Sequence, residues 1–466
     1  MTISKRQRYK SPALYLFTLQ VACLVVAPFY FGGERLLAWG ILGAFQSIIL
    51  IVNILFLPIT SLHLREDFRI MIACRLMVVP FAWAIIQIVP LPAHIFENGI
   101  WTAVSENFEF EITRTISISP DESYLTILKI LIVLTALYNS YKIALVYRVE
   151  RLILSAISVI GAIYAGIGLY WRFEYPINHI WLTIPAYFGN VVSTFVNRNS
   201  FAMYLGLCSH ANLVILIQLC RPSANSISRR NETLAFLQNK FPQILIFLAL
   251  YLVQIIALLL SGSRAGALTV LVAQVTLISF VFMKKSARTV TTIAMIISII
   301  PLMSLIHSNY SGILDARSSS LDLSMSSRIA LYNEVWSTIS DRYLTGYGLG
   351  AFEQAFRFHK SIDFDPAGIW LRAHNVYLEL MLALGVPAAL CALSAFVLVS
   401  ITIFKPVFMR HLHGIHLATA AAIISVALHS LFDFGVQAGA NAVTFSTLIG
   451  TAIGLSRNKQ YRSNLI

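Results

Sequence analysis

Residues 243–282 read QILIFLALYLVQIIALLLSGSRAGALTVLVAQVTLISFVF, two apolar runs hinged on Ser261-Gly262-Ser263-Arg264. Arg264 is the single charge in the stretch, and each run has the roughly 17–25 residues that a helix needs to cross a bilayer. Neither run alternates apolar with polar residues as a half-buried strand would. Backbone in lipid must satisfy its own hydrogen bonds, so the pair reads as a helical hairpin through a membrane.

The same pattern recurs outward from this hairpin. The chain has 466 residues, 58% hydrophobic and 12% charged, with mean hydropathy +0.75, more apolar than a soluble core of that size could bury. Spans are predicted at 12–31, 36–57, 70–91, 122–139, 151–171, 199–219, 243–261, 264–282, 288–306, 374–403, 416–432 and 436–455, about twelve in all. The expected fold is an all-α membrane protein: residues 1–306 carry spans one to nine, 307–373 form a large loop, and 374–466 carry spans ten to twelve and a tail. The first span follows Lys5, Arg6, Arg8 and Lys10, and no small-residue cleavage site precedes Gly32-Gly33-Glu34-Arg35, so a retained anchor is expected.

An even number of spans puts both termini on one side. With that side cytoplasmic, Lys142/Arg148/Arg151, Arg221/Arg229/Arg230/Lys240, Lys284/Lys285/Arg288, Lys405/Arg410 and Arg457/Lys459/Arg462 fall inside, about twice as many basic residues as outside. The net charge of +13 is mostly this bias, suited to anionic lipid headgroups, and no nucleic-acid partner is expected. The five cysteines, Cys23, Cys74, Cys208, Cys220 and Cys391, include no closely spaced pair and read as packing residues.

The loop 307–373 then lies outside, too long to lack structure of its own. Ile329, Tyr332, Val335, Trp336 and Ile339 follow the capping residues Ser326 and Ser327 at helical spacing, which predicts an amphipathic helix at the membrane surface. A second short helix is expected at 350–361, after Gly346-Tyr347-Gly348-Leu349-Gly350.

Arg198, Arg264 and His374 stand where spans six, eight and ten begin, at one membrane level. A helix N-terminus with an arginine beside it suits phosphate oxygens, although outer-face arginines also reach toward lipid headgroups without any substrate. Histidine is the side chain whose ordinary chemistry suits proton transfer at neutral pH, which makes His374 a candidate; the plainer reading is a capping or packing histidine. Glu379, deeper in the same helix, is expected to pair with an arginine. His429 and Asp433, four apart, share a face, a spacing more common for a structural hydrogen bond than for catalysis. Gly346-x-Gly348-x-Gly350 follows no strand and so is no dinucleotide loop, and the sequence has no HExxH and no acidic metal cluster, so no metal or cofactor is expected. His411, His413 and His416 fall at the cytoplasmic interface.

Five pieces in order carry a resemblance: Phe195-Val196-Asn197-Arg198-Asn199-Ser200-Phe201-Ala202, Ser261-Gly262-Ser263-Arg264-Ala265-Gly266, Ser327-Arg328 leading to Gly346-Tyr347-Gly348-Leu349-Gly350-Ala351-Phe352, His374-Asn375-x-Tyr377-Leu378-Glu379, and His429-Ser430-Leu431-Phe432-Asp433-Phe434. Together they resemble the O-antigen ligase and polymerase superfamily of bacterial membrane glycosyltransferases, from about residue 110 onward. The resemblance implies an all-helical fold like C-type glycosyltransferases, with a periplasmic cap loop between spans nine and ten. It implies metal-independent transfer, at the periplasmic face of the inner membrane, from a polyprenyl-diphosphate-linked glycan to a hydroxyl of an acceptor glycan or lipid. Arg264 and Arg198 would hold the donor diphosphate with Arg328 as a third cation, and His374 would activate the acceptor. Glu379, His429 and Asp433 would support them. A polymerase of O-antigen, exopolysaccharide or capsule repeats is favoured over a ligase to lipid A-core, with other polysaccharide-assembly proteins as further partners.

Two other classes remain open. A lipid-linked glycan flippase would share the span count, but the two halves show no similarity, and Arg75, Lys129 and Glu379 are the main charges inside spans. A non-catalytic assembly partner would tolerate loss of Arg264 and His374.

Overall fold

The computed structural model describes residues 10–57, 67–90, 99–108, 114–175, 180, 189–220, 238, 240–282, 325–361, 364, 370–409 and 413–457. Among them there is no strand. The helices are α1 (Lys10–Val26), α2 (Leu36–Phe56), α3 (Phe68–Ile88), α4 (Gly99–Phe108), α5 (Pro120–Val146), α6 (Glu150–Glu174), α7 (Arg198–Cys220), α8 (Phe241–Leu260), α9 (Arg264–Phe282), α10 (Met325–Asp341), α11 (Phe352–His359), α12 (Val376–Leu384), α13 (Val386–Phe408), α14 (Gly414–His429) and α15 (Gly439–Arg457). Short 3-10 turns lie at Phe31–Gly33 and Gly435–Gln437. Among the described residues eight helices, α2, α3, α5 to α9 and α13, are long and apolar enough to cross a membrane, and Pro12–Val26 and α14 are shorter apolar helices. The chain is a multi-pass membrane protein.

Local chemistry sets the helix starts. Asp67 accepts a hydrogen bond from Arg69 N–H at the head of α3, Asn197 from Asn199 N–H at α7, Ser263 Oγ from Gly266 N–H at α9, and Asn375 from Tyr377 and Leu378 N–H at α12. These side chains satisfy amide groups that no earlier turn can reach. α5 begins instead on Pro120 with Asp121 and Glu122 in its first turn, favourable against the positive end of the helix.

α7 and α15 form the centre of the bundle and are buried along almost their whole length, whereas α8 turns Leu245, Ile246, Leu252 and Ile256 outward, as a helix facing lipid does. α15 approaches α5 so closely that a Cβ on Gly450 would stand 2.2 Å from Leu137 O, a small-residue contact of the kind that drives helix association in lipid. A polar ladder crosses the same region. Asn53 donates to Asn139 Oδ1 (2.8 Å), Asn139 to Gln46 O and Oε1 (3.0 Å each), Gln46 to Gln20 Oε1 (3.3 Å) and Gln20 to Thr447 Oγ1 (2.9 Å), tying α1, α2, α5 and α15 together.

Three expectations change. The predicted tenth span, 374–403, is two helices, because Gly385 (φ 77°) breaks it and Pro387 opens α13. Tyr347 N–H donates to Leu382 O and Val386 N–H to Tyr343 O, so the end of the cap segment is sewn onto this break. Trp83 and Gln87 of α3 hold the same segment by donating to Thr345 O (3.1 and 2.8 Å). Second, the first span ends its helix at Val26 rather than near 31, and α4 is a helix that the hydropathy pattern does not predict. Third, α10 and α11 stand in the cap region, but α10 buries Leu331, Val335 and Ile339 against α11 and α12, while Ile329 (54%) and Trp336 (48%) are exposed. The expected apolar stripe joined two faces. The predicted ninth span, 288–306, and the first part of the cap loop lie outside the described residues.

Candidate functional site at the cap end

The heads of α7, α9 and α12 and the turn after α14 meet at one end of the bundle, beneath α10. The turn Arg372–Asn375 leads into α12 with His374 at φ 50°, a left-handed backbone position uncommon for a non-glycine residue. Such strain persists only where surrounding contacts enforce it, and they are present. Tyr332 Oη lies within hydrogen-bond reach of both His374 O (3.0 Å) and Leu431 O (2.9 Å) and shares its one proton between them, Val376 N–H donates to Ser430 O (2.9 Å), and Tyr377 Oη to Ala427 O (2.8 Å).

This clamping sets His374 Nδ1 3.3 Å from Asp433 Oδ2, with the histidine side chain 25% exposed and the aspartate 1%. Asn199 Nδ2 donates to the same Oδ2, and Phe434 N–H donates to Oδ1 at 2.8 Å. Burial alone would raise the Asp433 carboxyl. The His374 hydrogen bond and charge, His429 and the Phe434 amide outweigh it and hold the carboxyl below its ordinary range. An ionised aspartate so placed fixes the imidazole ring and leaves Nε2 to meet a ligand.

The other predicted residues are placed as follows. Glu379 Oε1 accepts from Arg372 Nη1 at 2.8 Å and from Gln437 Nε2 at 3.2 Å, and Ala373 N–H reaches Oε2 at 3.4 Å, so Glu379 braces the turn that carries His374. The guanidinium of Arg372 also lies over the Phe434 ring, 5.8 Å from its centroid. The side chains of His429 and Asp433 are not hydrogen-bonded to each other, against the spacing-based expectation. Their four-residue relation is met by the backbone, Asp433 N–H to His429 O, while Asp433 turns toward Asn199 and His374 and both His429 ring nitrogens are buried without a hydrogen bond among the described residues.

Among the cations, Arg264 heads α9, exposed, and makes no hydrogen bond or ion pair among the described residues. Arg198 heads α7 beside the loop before Arg264: a Cβ on Gly262 would stand 3.7 Å from Arg198 Nη1. Arg328 on α10 donates to Phe432 O at 2.9 Å, which commits part of its guanidinium to holding the cap over the 431–434 turn. Arg198 directly precedes Asn199, which donates to Asp433, and it lies beside the loop that leads to Arg264, so two arginines at neighbouring helix N-termini can receive an anion on this side of the His374–Asp433 pair. Among the described residues no three of His, Cys, Asp and Glu converge as metal ligands.

Asn199, Arg372, Tyr332 and Gln437 complete the cluster and were not singled out from sequence. Asn199 and Arg372 stand beside residues that were, but adjacency gives no sign of what a side chain reaches.

The fold and this cluster define a helical membrane protein with a polar, cation-flanked histidine–aspartate pair at one end. Residues 247–393 match the family described as O-antigen ligase, which supports the resemblance to the O-antigen ligase and polymerase superfamily. The match takes in Arg264, Arg328, Arg372, His374 and Glu379; Arg198, Asn199, His429 and Asp433 lie outside it. No curated protein matches the chain.

Proposed function

We propose that the protein transfers a glycan from a polyprenyl-diphosphate carrier to a hydroxyl of an acceptor, at the periplasmic face of the bacterial inner membrane. The observation that carries the reading is the His374–Asp433 pair standing beside the heads of α7 and α9, where Arg198 and Arg264 lie. A proton acceptor and fixed cations are the two things this transfer needs.

With Nδ1 bound to Asp433, His374 Nε2 takes the proton of the acceptor hydroxyl as its oxygen attacks the anomeric carbon. The bond from that carbon to the diphosphate oxygen breaks, and the electron pair leaves on the diphosphate. Arg264 and Arg198 stabilise that developing charge, and guanidinium groups suit the task because they stay ionised and offer paired donors to phosphate oxygens. Arg328 joins them as a weaker third cation, since Phe432 O occupies part of it. Asp433, Asn199 and the Glu379–Arg372 pair keep His374 in place.

Polymerisation of lipid-linked repeats of a surface polysaccharide is the form we favour, with membrane lipids and other assembly proteins around the enzyme. The family's description, O-antigen ligase, favours a second form in which the acceptor is another molecule such as lipid A-core. Purified protein in lipid nanodiscs, given the host's lipid-linked repeat as the only glycan, separates them. A ladder of lengthening lipid-linked chains marks a polymerase; transfer only after lipid A-core is added marks a ligase; no transfer with either rejects the proposal.

A further inference from the structure

The link between α1 and α2 carries an ionisable group that the transfer chemistry above leaves unused. Glu34 follows the 3-10 turn Phe31–Gly33, and that turn is wedged between two walls of the site. A Cβ on Gly33 would stand 2.8 Å from Ala440 N, at the head of α15, and one on Gly32 would collide with the Phe195 ring, which precedes Arg198 and Asn199 by a few residues. Thr194 Oγ1 donates to Pro28 O in the same link. The position of Glu34 is therefore set by the same elements that hold Asn199 and Asp433.

Its carboxyl is poorly served there. Oε1 is buried without a hydrogen bond among the described residues, and so is the hydroxyl of Ser200 beside it. The charges that act on it are Arg372 from the His374 turn, Asp433 from the turn after α14 and Arg35 from its own link. A buried carboxylate oxygen with no donor is costly to the charged form of the carboxyl. Burial, the dominant cause, together with the Asp433 charge, pushes the Glu34 carboxyl up to about 7, against the opposing pull of Ser200, Arg372 and Arg35. It thus changes charge near neutral pH, next to the aspartate that orients His374.

We propose that Glu34 is a positioning residue of the transfer site, acting through Asp433 on the readiness of His374 to take the acceptor's proton; this rests on the transfer reading above. With Glu34 neutral, Asp433 is the carboxylate bonded to the imidazole, while the charge of Glu379 is paired with Arg372. An ionised Glu34 adds a further negative charge, which favours the imidazolium form. The added charge helps His374 hold the proton during transfer, and it also means that a higher pH is needed to start the cycle with the imidazole neutral.

The test is the pH profile of kcat/KM for nanodisc-embedded protein, with the lipid-linked repeat as donor and each acceptor in turn. E34Q, isosteric with the neutral form, should move the acid limb to lower pH by about half a unit, whereas E34D should keep the wild-type limb. Ser200→Ala, which removes a hydroxyl favouring the charged form, should move the limb the same way by less, and serves if E34Q fails to insert. Superimposable profiles for wild type, E34Q and S200A would overturn the proposal, and so would a uniform loss at every pH, which marks a structural brace. Wild-type protein that transfers glycan to neither acceptor at any pH would overturn the transfer reading itself, and the role of Glu34 with it.

Discussion

His374 and Asp433 are 59 residues apart in the chain, yet their side chains stand 3.3 Å apart, Nδ1 to Oδ2, with Asn199 donating to the same oxygen. Three separate segments therefore fix one imidazole. Asp433→Asn keeps the shape but replaces an ionised acceptor by an amide, so the ring loses the partner that fixes Nδ1–H and stabilises its charged form. Glycan transfer should fall by roughly a hundredfold or more while the protein accumulates in the membrane normally. Quantitative turnover of nanodisc-embedded protein, beside its abundance on a gel, checks this.

Arg264 is exposed at the head of α9, with no bond to lose among the described residues, so its substitution should leave folding unaffected. Arg264→Ala should abolish detectable transfer, and Arg264→Lys should restore only part of it, because an ammonium is a point charge without the paired donors of a guanidinium. Arg328→Ala should cost less in turnover and more in cap docking, since it removes the bond to Phe432 O. Protease protection of the 325–361 segment separates the two effects.

Glu379 holds Arg372, Gln437 and the Ala373 amide, a set of bonds around the strained turn at His374. Glu379→Gln should destabilise this region by roughly 1–3 kcal/mol, lower kcat and leave the apparent affinity for the lipid-linked donor nearly unchanged. Steady-state kinetics with thermal unfolding in detergent tests both parts.

Gly385 sits at φ 77° where a Cβ would stand 2.3 Å from Leu344 O. Gly385→Ala should cost about 1–3 kcal/mol in backbone strain plus the cost of pushing the cap segment off the helix break. A lowered unfolding temperature together with lost transfer is the expected result; wild-type values for both would mean that the break tolerates a side chain.

Most of the membrane helices were legible because lipid enforces a simple rule: roughly 20 apolar residues per crossing. The break at Gly385 had a sign in Gly385-Val386-Pro387, a glycine that ends one helix and a proline that starts the next, but hydropathy averages over it. α10 was found with its faces confused, because Ile329 and Trp336 look as apolar as Leu331 and Val335 until a neighbour decides which side is covered. The candidate site was legible as a set of residues and not as a set of bonds. Four-residue spacing joined Asp433 to His429, whereas tertiary packing joins it to His374 and Asn199. Glu34 gave no sign, since its surroundings come from α7, the His374 turn and the turn after α14.

The most direct measurement follows single-turnover release of free polyprenyl diphosphate from the lipid-linked glycan, in step with glycan gained by the acceptor, for wild-type, His374→Ala and Arg264→Ala protein at equal abundance in nanodiscs. The account predicts equal release and transfer in the wild type and neither in the two variants. Release and transfer at wild-type rates in both variants would contradict the assignment of this site.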